Sequence, residues 1–367
     1  MTAIIASVAG ERSLSLTWSD GLTREFAYIW LRDNAREVRH ANGQKIIETT
    51  DIPLDIKPQS VSTGKLLEIL WQDDPAPASY DADWLRREQG LPAQPRKLWA
   101  GTDMQDQLPR FSLGDCQANN SVLRQMLDSV YTLGFAIIHD LPIQEQSLFD
   151  VIDLFGYVRE TNYGRLFDVR VERNPSNMAF TSATLSAHTD NPYRNPVPGL
   201  QLLHVLTNSA AGGENTLVDG LWAAEQLRKL DPAAFDLLAN TEVEFRFQSD
   251  DVDLHNRTTI IGVDRQGRAN AVRFNNRSMQ ALDLPADETD EFYAAHRQFS
   301  QLLEDAGNRV MFKLAAGEAM LFDNTRILHG RLGYTGDGHR HLQGCYADLD
   351  SLTSKLRVLQ RDTGDHP

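Results

Sequence analysis

A small set of residues in this chain could hold a redox-capable ion. Ser186-Ala187-His188-Thr189-Asp190-Asn191-Pro192-Tyr193 contains the chain's only His-x-Asp. On an extended backbone alternate side chains share a face, so His188 and Asp190 point the same way and can grip one ion. A third ligand must come from elsewhere. His329, in Arg326-Ile327-Leu328-His329-Gly330-Arg331, follows an apolar, strand-like run and is the best candidate. Two histidines and one carboxylate on one side of a metal leave the other positions open, which suits non-haem Fe(II) and dioxygen chemistry. A bare His-x-Asp carries little weight, because roughly one is expected by chance in a chain of this composition. Its surroundings decide.

Arg340 lies 11 residues after His329. In Arg340-His341-Leu342-Gln343-Gly344-Cys345-Tyr346, strand alternation puts Arg340, Leu342, Gly344 and Tyr346 on one face. If that face lines a barrel, it presents a guanidinium and a phenol to one cavity. A guanidinium there would bind a carboxylate through paired, charge-assisted hydrogen bonds. Standing alone, Arg340 reads more simply as a surface charge paired with some acid; with His329 at this spacing, the cofactor reading is the better one.

These side chains need a scaffold, and 367 residues are enough for a large core and more than one minimal domain. The chain is 41% hydrophobic and 24% charged, as an ordinary globular protein is. A formal charge of -15 argues against a nucleic-acid binder, which needs a basic face. Two cysteines, Cys116 and Cys345, give no disulfide framework, and a reducing compartment is the simplest setting. No run approaches the roughly 20 apolar residues of a membrane span, and Met1 to Gly10 does not read as a signal peptide. The expected location is cytoplasmic.

Residues 1–95 read as a small β-rich unit. Ser13–Trp18 alternates, Ser19-Asp20-Gly21 turns, Phe26–Leu31 reads as a second strand and Lys65–Trp71 as another. Asp83–Arg87 is expected as a short helix. Three prolines and two glycines over residues 88–110 mark the link to a second unit, 96–367. There, helices are expected over Val122–Tyr131, Gln144–Phe155, Leu221–Asn240 (broken at Asp231-Pro232), Asp287–Ala306 and Leu352–Leu359. Strands are expected at Gly134–His139, Glu242–Gln248, Thr258–Val263, Val310–Leu314, Glu318–Phe322 and Gln343–Asp348. The fold class is α+β, mainly β: many short strands with helices around them suggest a double-stranded β-helix of jelly-roll type.

The joint pattern, His188-x-Asp190, Gly212-Gly213-Glu214-Asn215-Thr216, His329-Gly330-Arg331 and Arg340, resembles the Fe(II)/2-oxoglutarate dioxygenases of the taurine dioxygenase group. Trp30-Leu31-Arg32-Asp33-Asn34 and the stretch from Arg340 to Asp348 narrow the likeness to the γ-butyrobetaine hydroxylase branch. It extends from about Leu14 to Leu356. The resemblance implies that His188, Asp190 and His329 bind iron and that Arg340, helped by Thr216 and Asn177, holds 2-oxoglutarate. It implies dioxygen as co-substrate, hydroxylation of an unactivated C–H bond, release of succinate, ascorbate as a stimulant, and a homodimer. Relatives often carry a structural zinc held by three cysteines and a later histidine. Those cysteine positions appear here as Ala35, Glu37 and His40, and without thiolates such a zinc is not expected.

The branch handles zwitterionic trimethylammonium compounds, whose cation cannot donate hydrogen bonds and is bound by aromatic faces. The matching positions are Tyr163, Phe167, Phe180 and Tyr346. For the anionic end the candidates are Asn191, Tyr193, Asn276 and Arg277. An extra guanidinium after the Asn-Asn pair suits a multiply charged headgroup and resembles the relatives that hydroxylate 2-(trimethylamino)ethylphosphonate beside phosphorus. That reaction, in organophosphonate catabolism, is the first expectation; γ-butyrobetaine hydroxylation to carnitine is the alternative. A zinc hydrolase on the same ligands lacks any His-Glu-x-x-His. A non-enzymatic jelly-roll binding protein would not require three ligands plus Arg340.

Overall fold

A computed structural model of the chain describes residues 3–87, 96–170, 183–335 and 338–362. The chain divides into two compact units, Met1–Ala93 and Gln94–Pro367. The first holds two three-stranded antiparallel sheets: β1 (Ile4–Ala9), β2 (Ser13–Trp18) and β3 (Thr23–Ala27), then β4 (Pro58–Ser62), β5 (Leu66–Trp71) and β6 (Pro77–Asp81). Alternation turns Leu14, Leu16 and Trp18 of β2, and Leu67, Ile69 and Trp71 of β5, into one core. The strand expected over Phe26–Leu31 stops at Ala27, and α1 runs Tyr28–Asp33. Tyr28, Leu31 and Arg32 are buried along that helix, a helical spacing that a short apolar run does not distinguish from a strand. The helix makes a corner. Arg32 pairs with Asp73 at 3.1 Å and Asp74 at 3.3 Å, and Tyr80 donates to the Leu31 carbonyl at 2.8 Å. Glu37 accepts from the Ser79 N–H at 3.1 Å. Helix α2 (Ala82–Arg86) is capped by Asp81.

The second unit opens with α3 (Gly101–Met104), β7 (Arg110–Ser112), α4 (Leu113–Ala118), α5 (Asn120–Leu133), β8 (Phe135–His139), α6 (Phe149–Ile152), β9 (Val158–Arg159) and β10 (Phe167–Arg170). The helix expected over Gln144–Phe155 shrinks to α6. Gln146 has φ 71°, which no right-handed helix accepts, and its N–H donates to Gln343 Oε1 at 2.8 Å. Then come β11 (Leu185–His188), β12 (Leu200–Asn208), β13 (Ala211–Gly212), β14 (Asn215–Asp219), α7 (Gly220–Leu230) and α8 (Pro232–Asn240). These are followed by β15 (Glu242–Gln248), β16 (Asp253–Thr259), β17 (Ile261–Val263), β18 (Ala269–Val272) and α9 (Ala286–Glu304). The chain closes with β19 (Arg309–Phe312), β20 (Ala319–Asp323), β21 (Ile327–Arg331), β22 (Tyr334–Thr335), β23 (Arg340–Ala347) and α10 (Leu349–Asp362). No helix among the described residues is long and apolar enough to cross a membrane.

Two sheets form the core. The larger is ordered β10-β23-β12-β20-β8-β7, and the smaller β11-β21-β14-β19. Leu203, Val205, Met320, Phe322 and Leu342 of the larger meet Leu217, Val310 and Ile327 of the smaller. This is the expected jelly-roll. The outer face of the larger sheet, with Leu200, Leu202 and Leu321, carries α5 and α10. Val218 and Leu328 of the smaller carry α7, α8 and α9.

One ion pair ties these layers together. Arg326 and Asp219 are both 0% exposed, with Nη2 to Oδ2 at 2.7 Å and Nε to Oδ1 at 3.1 Å. Arg326 also donates to the carbonyls of Thr132 and Lys97, and Asp219 accepts from the N–H groups of Trp99, Leu221 and Trp222. Removing one partner of a fully buried pair leaves the other charge stranded, at a cost of roughly 3–5 kcal/mol. Arg326→Met should therefore lower the unfolding free energy from denaturant titration by that order, whereas a change under about 1 kcal/mol would show the pair to be dispensable.

His204 on β12 is 0% exposed, and neither ring nitrogen has a partner among the described residues. Burial pushes its pKa down to about 4. Between about pH 6.5 and 4 the unfolded chain takes up this proton and the folded one does not, so stability falls as the pH drops through that window. The loss from this group is on the order of 3 kcal/mol. His204→Leu should flatten the acid limb of a pH–stability curve; an unchanged limb would assign it to other groups.

Candidate metal and substrate site

The strand register brings the two histidines together. β11 and β21 are antiparallel, His188 faces His329, and their ring centroids are 4.3 Å apart. Gly330 is required there. A Cβ on it would lie 2.7 Å from the Leu185 carbonyl and 2.7 Å from Thr216 Oγ1, so any larger residue would push β21 off its neighbours. His188 ends its strand and Asp190 lies just past it, in a bend. The two still share a side: His188 Nε2 is 3.5 Å from Asp190 Oδ1. One ligand atom from each of His188, Asp190 and His329 lies within 4.8 Å of the others.

The donor set is in the state that a metal needs. His188 Nδ1–H donates to the Ser186 carbonyl at 2.8 Å, leaving the Nε2 lone pair for an ion. Burial, and then the neighbouring His188, push His329 down to about 3, so its imidazole is neutral at physiological pH. Burial alone would raise the Asp190 carboxyl, but the close approach of His188, the neighbouring His329 and the Tyr346 hydroxyl outweigh it. The group stays ionised well below the usual range. Two imidazoles and one carboxylate fit a divalent iron with open positions.

A cavity of about 560 Å³ opens over these ligands. Arg340, the first residue of β23, is 8% exposed. Its Nη2 donates to Asn215 Oδ1 at 3.4 Å, and its Nε has no partner among the described residues. Burial and then Arg331 lower its pKa to about 10, so it remains a cation. A buried cation with one long hydrogen bond is matched by an anion from outside the chain, such as the distal carboxylate of 2-oxoglutarate. Thr216 is buried, but its hydroxyl stands against Gly330, and Asn215 beside it lines the cavity. Asn177 and Phe180 lie outside the described residues.

Tyr163, Phe167 and Tyr346 form a continuous aromatic wall, with centroids 6.2 Å and 5.2 Å apart. Gly344 makes the wall possible, because a Cβ there would meet the Phe167 ring at 2.4 Å. Tyr193, expected at the anionic end, instead extends this wall: it stacks on Phe247 at 5.3 Å, and Phe247 lies 5.9 Å from Tyr163. Its hydroxyl donates to Asn191 Oδ1 at 2.8 Å. Asn191 is 3% exposed, and its Nδ2 has no partner among the described residues. Arg277 lines the cavity; Asn276 is exposed and is not among the lining residues, and Asn275 takes its place. Phe247 and Gln201 were not anticipated; Asn215 and Asn275 lie in stretches that the sequence singled out. Gln201 left a trace in the sequence, as one of two polar residues, with His204, inside the otherwise apolar run Leu200–Val205.

The family model described as taurine catabolism dioxygenase TauD, TfdA matches residues 94–346, and that described as gamma-butyrobetaine hydroxylase-like, N-terminal, matches residues 5–86. The gamma-butyrobetaine dioxygenase of Pseudomonas sp. (strain AK-1) is 35% identical, with 97% of this chain and 96% of the relative covered. The trimethyllysine dioxygenase of Meyerozyma guilliermondii is 28% identical over 95% of this chain and 93% of the relative. The gamma-butyrobetaine dioxygenase of Homo sapiens is 28% identical over 96% and 95%. The chain belongs to the TauD, TfdA family, and it is an Fe(II)- and 2-oxoglutarate-dependent dioxygenase.

Arg340→Ala should raise the KM for 2-oxoglutarate by about 100-fold, the cost of deleting one partner of a buried charge pair. Calorimetric binding of 2-oxoglutarate to the variant at wild-type affinity would remove Arg340 from that role.

Proposed function

We propose that this member of the family hydroxylates a small zwitterion carrying a trimethylammonium group at one end and a carboxylate at the other, of the γ-butyrobetaine kind. One observation carries the reading. The cavity over the metal ligands has an aromatic wall and, among its lining residues, a guanidinium with no acidic partner, that of Arg277. A quaternary ammonium has no N–H to donate and rests on aromatic faces, and the acid end pairs with Arg277 and the free Nδ2 of Asn191. Held at both ends, the substrate turns its central methylenes toward His188, Asp190 and His329.

The phosphonate expected from the sequence finds less support. Tyr193 spends its hydroxyl on Asn191, and Asn276 is outside the lining. Of the other lining guanidinia, Arg246 is held by Asp253 at 2.9 and 2.6 Å, Arg331 donates to the Ala183 carbonyl at 2.7 Å, and Arg340 is assigned to the co-substrate. Arg277 and the Asn191 amide are left for the substrate, a set suited to the two oxygens of a carboxylate. The printed names of the relatives, gamma-butyrobetaine and trimethyllysine dioxygenase, favour the same class.

Bound iron, with 2-oxoglutarate and dioxygen, supplies the oxidation of an unactivated C–H bond, the 2-oxoglutarate leaving as succinate and carbon dioxide. The protein's residues position and shield. Arg340 fixes the co-substrate, and the ring wall and Leu342 exclude water from the reacting carbons.

Incubation with γ-butyrobetaine, trimethyllysine and 2-(trimethylamino)ethylphosphonate, read as hydroxylated product and succinate, tests the assignment. γ-Butyrobetaine should turn over fastest, and Arg277→Ala should raise its KM roughly 10–100-fold. Faster turnover of the phosphonate would reverse the choice.

A further inference from the structure

Asp190 is held by residues that no metal ligand motif includes. Gln201 on β12 and Tyr346 on β23 stand directly opposite each other in register. Both reach the same carboxylate oxygen: Gln201 Nε2 donates to Asp190 Oδ2 at 2.9 Å, and the Tyr346 hydroxyl donates to it at 3.0 Å. The backbone is fixed as well. Asn324 Oδ1 accepts from the Asp190 N–H at 2.8 Å, and Asn324 Nδ2 donates back to the Asp190 carbonyl at 2.9 Å.

Gln201 is 1% exposed, and its Oε1 has no partner among the described residues. Burying an amide is costly unless it is hydrogen-bonded, and a purely structural glutamine would satisfy both ends. This one makes a single side-chain hydrogen bond, and that bond goes to the metal carboxylate.

We propose that Gln201 is a positioning residue for the metal. Together with Tyr346 it occupies both lone pairs of Asp190 Oδ2, so the carboxylate offers an ion Oδ1 alone, the oxygen that lies 3.5 Å from His188 Nε2. A carboxylate bound through both oxygens would take a further coordination position. Holding it to one oxygen keeps that position for the co-substrates. The inference concerns the metal and is independent of which trimethylammonium compound is the substrate.

The test is anaerobic Co(II) titration of the metal-free protein, followed by calorimetry and by ligand-field absorption. Gln201→Met keeps the side-chain length and removes the donor; Tyr346→Phe removes the other. Each should weaken Co(II) binding about 10- to 100-fold, as loss of an outer partner of a ligand does. Each should also alter the ligand-field spectrum while the melting midpoint of the metal-free protein stays near wild type. Unchanged affinity and spectrum in both variants would overturn the inference. Weaker binding with an unchanged spectrum would overturn it too, since that is generic loosening. Should Gln201→Met fail to fold, Tyr346→Phe, which lacks one oxygen atom only, decides by the same two readouts.

Discussion

A guanidinium and a carboxylate sealed from water, Arg326 and Asp219, fix the frame in which the metal ligands meet. Burying two charges is costly, and the cost is offset only when every remaining donor and acceptor finds a partner. Here the partners come from five segments: the Lys97–Trp99 entry, the end of α5, the end of β14, the start of β21 and the first turn of α7. None of them can slide without stranding a charge. β21 is thereby pinned three residues before His329, and the antiparallel pairing with β11 then sets His188 opposite it. Gly330 lets the strands approach closely enough for the rings to share an ion.

The electrostatics of the cavity run against those of the chain. The protein carries a formal charge of -15, yet Arg277, Arg331 and Arg340 line the cavity, with Asp190 the carboxylate at its floor. Cations gathered at a cavity in this way favour anionic ligands. Both the co-substrate and the proposed substrate carry carboxylates. The aromatic wall separates these functions, because it accepts a cation without offering a hydrogen bond to an acid.

The roles of the wall and of the metal shell overlap in Tyr346. Its ring lies against Phe167, and its hydroxyl is bonded to Asp190. Burial and the nearby carboxylate raise its pKa, so the phenol stays a donor. The register of β23 between β10 and β12 decides this double duty, since Gly344 admits Phe167 on one side while Gln201 faces Tyr346 on the other.

Residue types and periodicity were enough to single out His188, Asp190 and His329, which the fold brings together, the face that Arg340 shares with Tyr346, and the jelly-roll class, because each depends on local alternation or on chemistry that few residue types can perform. Short apolar runs misled: Tyr28–Leu31 is helical, and Gln144–Phe155 is mostly not, since a φ of 71° at Gln146 leaves no mark in the sequence. The direction of Thr216, the exposure of Asn276 and the entry of Tyr193 and Phe247 into the wall depend on which strand lies beside which. So does the clamp on Asp190. Periodicity says which side chains share a face of one strand, but hydrogen-bond register between strands distant in the chain decides which faces meet, and only the folded sheets carry that.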